Sequence, residues 1–246
     1  MVALRLAFEA QAVHKKLGSS QALAGLSLKL DAGVMHGIIG PEGAGKTTLL
    51  RTFLGLLKPD AGEIIYRSHD SSVAFGRIRN DIAYMPQQQS LYGDLSIGEH
   101  LDFFCALYQI PKPSYAQKRK ELLHITRLSD FVDRPAGKLS GGMYKKLGLM
   151  CALLRSPQAV FLDEPTNGVD PISRREFWEL LYQLLAQKIL IVIATSYMDE
   201  AERCSQVHLM EAGRCLAEGD PQQILAHEGV DNFDAFFIKR SPAVLG

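Results

Sequence analysis

Three features of the chain predict an α/β fold with a mostly parallel sheet. After Gly137, short apolar runs alternate with helix-length amphipathic stretches, the pattern of strands covered by helices on both faces. A glycine-rich loop, Gly40–Gly45, stands between an apolar run and a helical stretch, which is how such sheets meet their ligands. Between Gln89 and Gly137 the character turns helical, as expected of a helical segment inserted into that core.

Each element follows from its pattern. Leu4, Leu6 and Phe8 alternate with Arg5, Ala7 and Glu9, and Leu26, Leu28 and Leu30 repeat the alternation, so both stretches read as strands with one buried face. Asp31-Ala32-Gly33 is a turn, and Val34 to Ile39 is short and apolar enough for a buried strand. Thr47 to Leu57 has helical periodicity and stops at Lys58-Pro59-Asp60-Ala61-Gly62, where proline and glycine end a helix. In the inserted segment, Leu101, Phe103, Phe104 and Leu107, then Leu122, Leu123, Ile125 and Leu128, form two amphipathic helices divided by Pro111-Lys112-Pro113. The aromatic run Phe103, Phe104 and Tyr108 reads as core. Beyond it come a helix near Met143–Leu154, strand Ala159–Leu162, helix Arg174–Gln187, strand Ile189–Ala194, helix Met198–Cys204 and strand Val207–Met210. Phe233, Phe236, Phe237 and Ile238 suggest a last amphipathic segment packing back on the domain.

Composition narrows the function classes. With 27 basic and 27 acidic residues the formal net charge is zero, which argues against a nucleic acid as the main partner. The four cysteines, Cys105, Cys151, Cys204 and Cys215, have neither metal-ligand nor secreted-scaffold spacing, so reduced thiols in a cytosolic protein are expected. No window approaches the roughly 18 apolar residues of a membrane span, and no apolar signal core opens the chain. Service to a membrane would have to run through a partner.

Gly40-Pro41-Glu42-Gly43-Ala44-Gly45-Lys46-Thr47-Thr48 matches the Walker A pattern between a strand and a helix. Glycines let successive N–H groups converge on phosphates, and the helix N-terminus adds partial positive charge. Lys46 is the residue to reach the β- and γ-phosphates, and the Thr47 hydroxyl is an Mg²⁺ ligand. Glu42 is unusual beside a polyanion and is expected to point into solvent. The apolar run Ala159–Leu162 ends in Asp163-Glu164; beyond a strand's carboxyl end Asp163 can hold Mg²⁺ through water and Glu164 can orient and deprotonate an attacking water.

In this context Leu139-Ser140-Gly141-Gly142-Met143 resembles the signature motif of ABC-type ATPases, with Met in the last place. The resemblance covers nearly the whole chain. It implies a P-loop NTPase core over residues 1–88 and 138–246 with an N-terminal antiparallel β subdomain, a helical subdomain inserted at 89–137, and the whole of 1–246 as one ATPase domain. By the same resemblance, Ser140, Gly141 and Gly142 cap the γ-phosphate of ATP held by a partner's Walker A loop. Gln87 is the glutamine that senses Mg²⁺ and γ-phosphate beside the membrane-subunit contact, and Asp170 crosses the dimer interface. Asp163–Pro171 (DEPTNGVDP) and Tyr197–Arg203 (YMDEAER) look like the ATPases of bacterial ABC-2-type multidrug exporters, above all the first half of exporters with two such domains.

Two departures matter. The family has a histidine after the strand Ile189–Ala194, and Ser196 stands there; serine is shorter and uncharged. The family's adenine-stacking aromatic is replaced by Leu17, which has no π face, with His14 nearby as a second choice. The resemblance therefore implies an MgATP-hydrolysing subunit that pairs with a copy of itself or with a second such domain. Its integral membrane permease would hold it at the cytoplasmic face of a bacterial inner membrane, together with a periplasmic adaptor and no nucleic acid. An ATP-binding regulatory half-site with slow hydrolysis, and a ribosome-associated ATPase, are the alternatives.

Overall fold

The computed structural model describes residues 6–69, 71–88 and 91–240. Leu4 and Arg5, which open the first predicted strand, lie outside the described residues, as does Gln89. Two units form, one of Met1–Arg77 with Leu190–Gly246 and one of Ile78–Ile189.

The first unit opens with β1 (Leu6–Leu17) and β2 (Ser20–Leu30), then β3 (Met35–Ile39), α1 (Lys46–Phe53), β4 (Ala61–Ser68), β5 (Ser71–Ser72) and the short α2 (Phe75–Ile78). The chain enters the second unit through β6 (Ile82–Met85), α3 (Ile97–Leu107), α4 (Lys112–Ile125), α5 (Gly141–Leu153), β7 (Ala159–Asp163) and α6 (Pro171–Ala186). It returns to the first with β8 (Leu190–Thr195), β9 (Gln206–Glu211), β10 (Arg214–Gly219), α7 (Pro221–Glu228) and α8 (Phe233–Arg240).

In the first unit β2, β1, β4 and β5 make an antiparallel sheet. Leu6, Phe8, Ala10 and Val13 bury one face of β1, and Leu26, Leu28 and Leu30 one face of β2, as their alternation predicts. Phe8 meets Phe53 of α1 edge-on at 6.1 Å between centroids, a geometry that suits the ring quadrupoles. The second sheet places β3 between β8 and β9, both parallel to it, with β10 antiparallel on β9. Every residue of β3 and β8 is buried, which explains their unbroken apolar sequences.

In the second unit β6 and β7 pair in parallel, Ile82 with Ala159 through Met85 with Leu162. Ser96 starts α3 with a reciprocal cap: its hydroxyl accepts from the Glu99 N–H, and the Glu99 carboxylate accepts from the Ser96 N–H. Leu147, Leu149, Met150 and Leu153 of α5 and Phe177, Trp178, Leu181 and Leu184 of α6 are buried.

Some expectations fail on physical grounds. Met198–Arg203 is a 3₁₀ turn and not an α-helix; it buries only Glu200 and Ala201, too little apolar surface for a full helix. The aromatics of α3 are not core. Phe103 is 40% exposed and sits in a surface ladder, Tyr92–Phe103–Phe104–Tyr108, with centroids 5.3–5.6 Å apart. In α8, Phe233, Phe236 and Phe237 bury as expected while Ile238 is exposed.

Candidate functional site

The sequence-predicted residues fall into two groups, one in each unit. In the first, β3 delivers the chain to the glycine-rich loop at the carboxyl end of the sheet. The Gly40 N–H donates to Thr195 O of β8 (3.3 Å), so Ser196, the next residue along, lies beside the start of the loop. The loop closes on itself through Ala44 N–H to Pro41 O (3.2 Å). Gly213, in the β9–β10 turn, braces it: Gly213 N–H donates to Ala44 O (3.0 Å), and Gly213 O accepts from Ala24 N–H of β2 (2.9 Å).

Gly45 has φ 101°, and a Cβ there would come within 2.3 Å of Ala22 O. Only glycine fits, because the backbone itself is pressed against β2. The buried Lys46 ammonium donates to Gly40 O (2.7 Å) and Pro41 O (3.0 Å), which fixes a cation against the first carbonyls of the loop. Glu42 and Gly43 are exposed, Glu42 as expected. A glycine loop closed to a Cβ at Gly40 and Gly45, a helix start and a fixed ammonium together fit a nucleoside triphosphate. Leu17 ends β1, pairs with Ser20 and is 46% exposed. It stands at the tip of the hairpin whose next turn of chain, Ala22, abuts Gly45. His14 is exposed, with its ring over Gly25 of β2, where an added Cβ would stand 3.1 Å from Nε2.

Across β3, β9 and β10 runs a polar relay that sequence reasoning missed. The Asp31 N–H donates to His36 Nε2 (2.9 Å), His36 Nδ1 lies 3.1 Å from His208 Nε2, and His208 Nδ1 lies 3.1 Å from Glu218 Oε2. An amide can only donate, so His36 Nε2 is the acceptor and its Nδ1 carries the proton. His208 then accepts at Nε2 and donates from Nδ1 to Glu218. Cys215 Sγ joins His208 and Glu218 within 4.8 Å, but the proton on His208 Nδ1 occupies the lone pair a metal would need. Burial, followed by the neighbouring His208, pulls the His36 pKa down to about 4, while the His208 hydrogen bond lowers that of Glu218.

In the second unit, β7 ends at Asp163, whose Oδ2 accepts from the Tyr84 hydroxyl of β6 (3.3 Å). Glu164 follows, 5% exposed and with φ 47°, a left-handed backbone uncommon away from glycine. Gln87, just after β6, is exposed. Ser140 caps α5, its hydroxyl accepting from Met143 N–H (3.3 Å), so the Ser140–Gly142 tip is a helix N-terminus with free anion-binding polarity. A Cβ on Gly142 would lie 2.3 Å from Ser173 Cβ, which shows how closely the starts of α5 and α6 approach. Asp170 caps α6, with Oδ1 accepting from Ile172 N–H (3.1 Å) and Ser173 N–H (3.0 Å); these bonds lower its pKa.

Tyr84, Tyr144 and Lys145 also touch this group and escaped the sequence reading. The Tyr144 hydroxyl accepts from Leu91 N–H (3.0 Å), and the Lys145 ammonium reaches Gln87 O (3.4 Å) and Glu164 O (3.3 Å). Most of their partners are main-chain atoms, which leave no pattern in sequence.

Comparison with known proteins is consistent across three kinds of match. Residues 23–167 match the family model described as ABC transporter. Over 203 residues the chain is 44% identical to the probable multidrug ABC transporter ATP-binding protein YbhF of Escherichia coli (strain K12), covering 82% of this chain and 35% of that relative. The chain thus spans about a third of that relative's length. It is 35% identical over 222 residues to the daunorubicin resistance ATP-binding protein DrrA3 of Streptomyces coeruleorubidus, covering 90% of this chain and 70% of the relative. A solved ATP-binding subunit of an ABC transporter superposes with a TM-score of 0.80 at 27% identity, over 94% of this chain and 98% of that one.

Proposed function

The chain belongs to the ABC transporter family, whose ATP-binding domains hydrolyse ATP, and from that premise we propose that it is the ATP-hydrolysing subunit of an exporter of drug-like molecules. The observation that carries this is the Gly40–Thr48 loop, braced by Ala22 and Gly213 with the Lys46 ammonium held against it. The relatives named for multidrug transport and daunorubicin resistance support the class of cargo.

Bound MgATP supplies the γ-phosphoryl group and the charge neutralisation that phosphoryl transfer needs. The loop amides and Lys46 bind its phosphates, while the Thr47 hydroxyl and the Asp163 carboxylate are hard oxygen donors suited to Mg²⁺. Gln87 assists in sensing the metal and γ-phosphate. Glu164, nearly enclosed, orients water and takes up its proton. Leu17 gives the base apolar contact without stacking, so base selectivity is loose. The Ser140–Gly142 helix tip completes the site of a second copy or a second ATPase domain, with Asp170 at that interface.

Among the described residues no helix is long and apolar enough to cross a membrane. In this proposal, transport runs through separate ABC-2-type permease subunits, with a periplasmic adaptor in the assembled exporter, and the chain works at the cytoplasmic face of the membrane. An apolar cleft next to Gln87, lined by Pro86, Leu91, Phe104 and Tyr108, supports that docking.

One observation favours a second reading. Ser196 follows Thr195 at the start of the phosphate loop, where a longer hydrogen-bonding ring is the family pattern; a slow, ATP-holding regulatory half-site fits that substitution. The test is titration of a fluorescent ATP analogue into the purified chain and its Lys46→Ala variant. Affinity should fall at least about tenfold, the worth of a charge-assisted hydrogen bond; unchanged affinity counts against the assignment. Steady-state turnover, with and without permease, separates the exporter motor from the half-site.

A further inference from the structure

We infer that Lys145 is a positioning residue that pins the backbone of the hydrolytic Glu164, and that of Gln87, to the helix whose tip is Ser140–Gly142. The inference rests on the reading of Glu164 as the hydrolytic carboxylate and adds a residue that neither the motifs nor the family assignment names.

Lys145 sits on α5, little more than one turn from its cap. Its ammonium stands 3.3 Å from Glu164 O and 3.4 Å from Gln87 O. These carbonyls come from separate segments, one after β7 and one after β6. An ammonium carries three donors and no acceptor, so one side chain serves both. Glu164 O also accepts from Asn167 N–H (3.3 Å), and the two donors hold from one side a peptide whose φ is 47°. Left-handed backbone at a non-glycine residue persists only where its surroundings over-determine it. A relaxed φ would swing the carboxylate away from the water it orients.

Desolvation lowers the Lys145 pKa, and the nearby Glu164 and then Asp163 offset only part of that fall. Its neighbours have different tasks. Buried Lys146 pairs with Glu176 at 2.5 Å and fastens α5 to α6, and Tyr144 fixes Leu91. Lys145 touches the main chain of the hydrolytic residue. A shift of the α5 tip, which in the proposed dimer grips the opposite nucleotide, is thereby transmitted to this chain's own Glu164 through the Lys145 side chain.

The test compares the whole chain with Lys145→Met, which keeps stem length and loses the charge, and Lys145→Arg, which keeps the charge. Without nucleotide, amide exchange at residues 164–168 should quicken about tenfold or more in Lys145→Met and stay near the parent rate in Lys145→Arg. With nucleotide, affinity for the fluorescent ATP analogue should hold within about twofold while kcat falls by about tenfold or more, and Lys145→Arg should restore it. Unaltered exchange at 164–168 in Lys145→Met overturns the inference, as does a parallel fall of kcat and affinity. If Lys145→Met does not fold, Lys145→Gln carries the same readings. A parent chain that fails to bind the analogue sinks the ATPase reading instead, and the nucleotide-free exchange still judges Lys145.

Discussion

Single residues carry the most direct consequences. His36 is fully buried, and that burial, followed by the neighbouring His208, keeps it neutral, with a pKa of about 4 against an ordinary 6.5. Between those values the unfolded chain binds a proton that the folded chain refuses, so stability rises with pH through this window and is lost as pH falls from 6.5 towards 4. The full effect is about 3 kcal/mol. Urea-unfolding midpoints from pH 7.5 to 4.5 should decline accordingly, and the decline should be shallower in His36→Asn; parallel profiles would refute the assignment. At Ser196 the prediction concerns rate. Ser196→His restores a ring able to hydrogen-bond, and turnover should rise by about tenfold or more; an unaltered kcat would show that Ser196 does not limit hydrolysis. The placement of Lys46 and Thr47 at a helix start, and of Asp163 and Glu164 at a strand end, was legible because the motifs fix residue type and spacing. Tyr84 and Lys145 were not, since a tyrosine or lysine bonded to a neighbouring strand or loop looks like any other in the sequence.

Among elements, strands with one or two buried faces were read most faithfully. β3, β7 and β8 stand within a residue or two of the predicted limits, because complete burial leaves an uninterrupted apolar run. β4 escaped notice: its residues are exposed or half-buried along its length, so no period marks it. β10 escaped for the same reason. The helix starts were fixed by chemistry that can be tested. Gly142 faces Ser173 at a separation that admits no Cβ, so Gly142→Ala should destabilise the chain by about 1–3 kcal/mol, as overpacking does. Adding Ser173→Gly should recover most of that loss, because the two positions share one contact. Equilibrium unfolding of both single variants and the double variant checks this, and simple additivity would sink it.

For the molecule as a whole, the α/β class and the helical stretch were legible from alternation and length, while the packing of α5 on α6 required coordinates. The proposed assembly makes its own prediction. Glu164→Gln removes the proton acceptor but leaves phosphate binding intact, so MgATP should drive the variant into a dimer visible by gel filtration; a persistent monomer would undermine the shared-site reading. The packing of α5 on α6 has a mechanical consequence. Gly142 against Ser173 and Lys146 against Glu176 are two bolts, about 6 Å apart along α5. A rod bolted twice cannot roll or pivot on its neighbour. The Ser140 cap and the Asp170 cap must therefore travel together, as two teeth of one jaw.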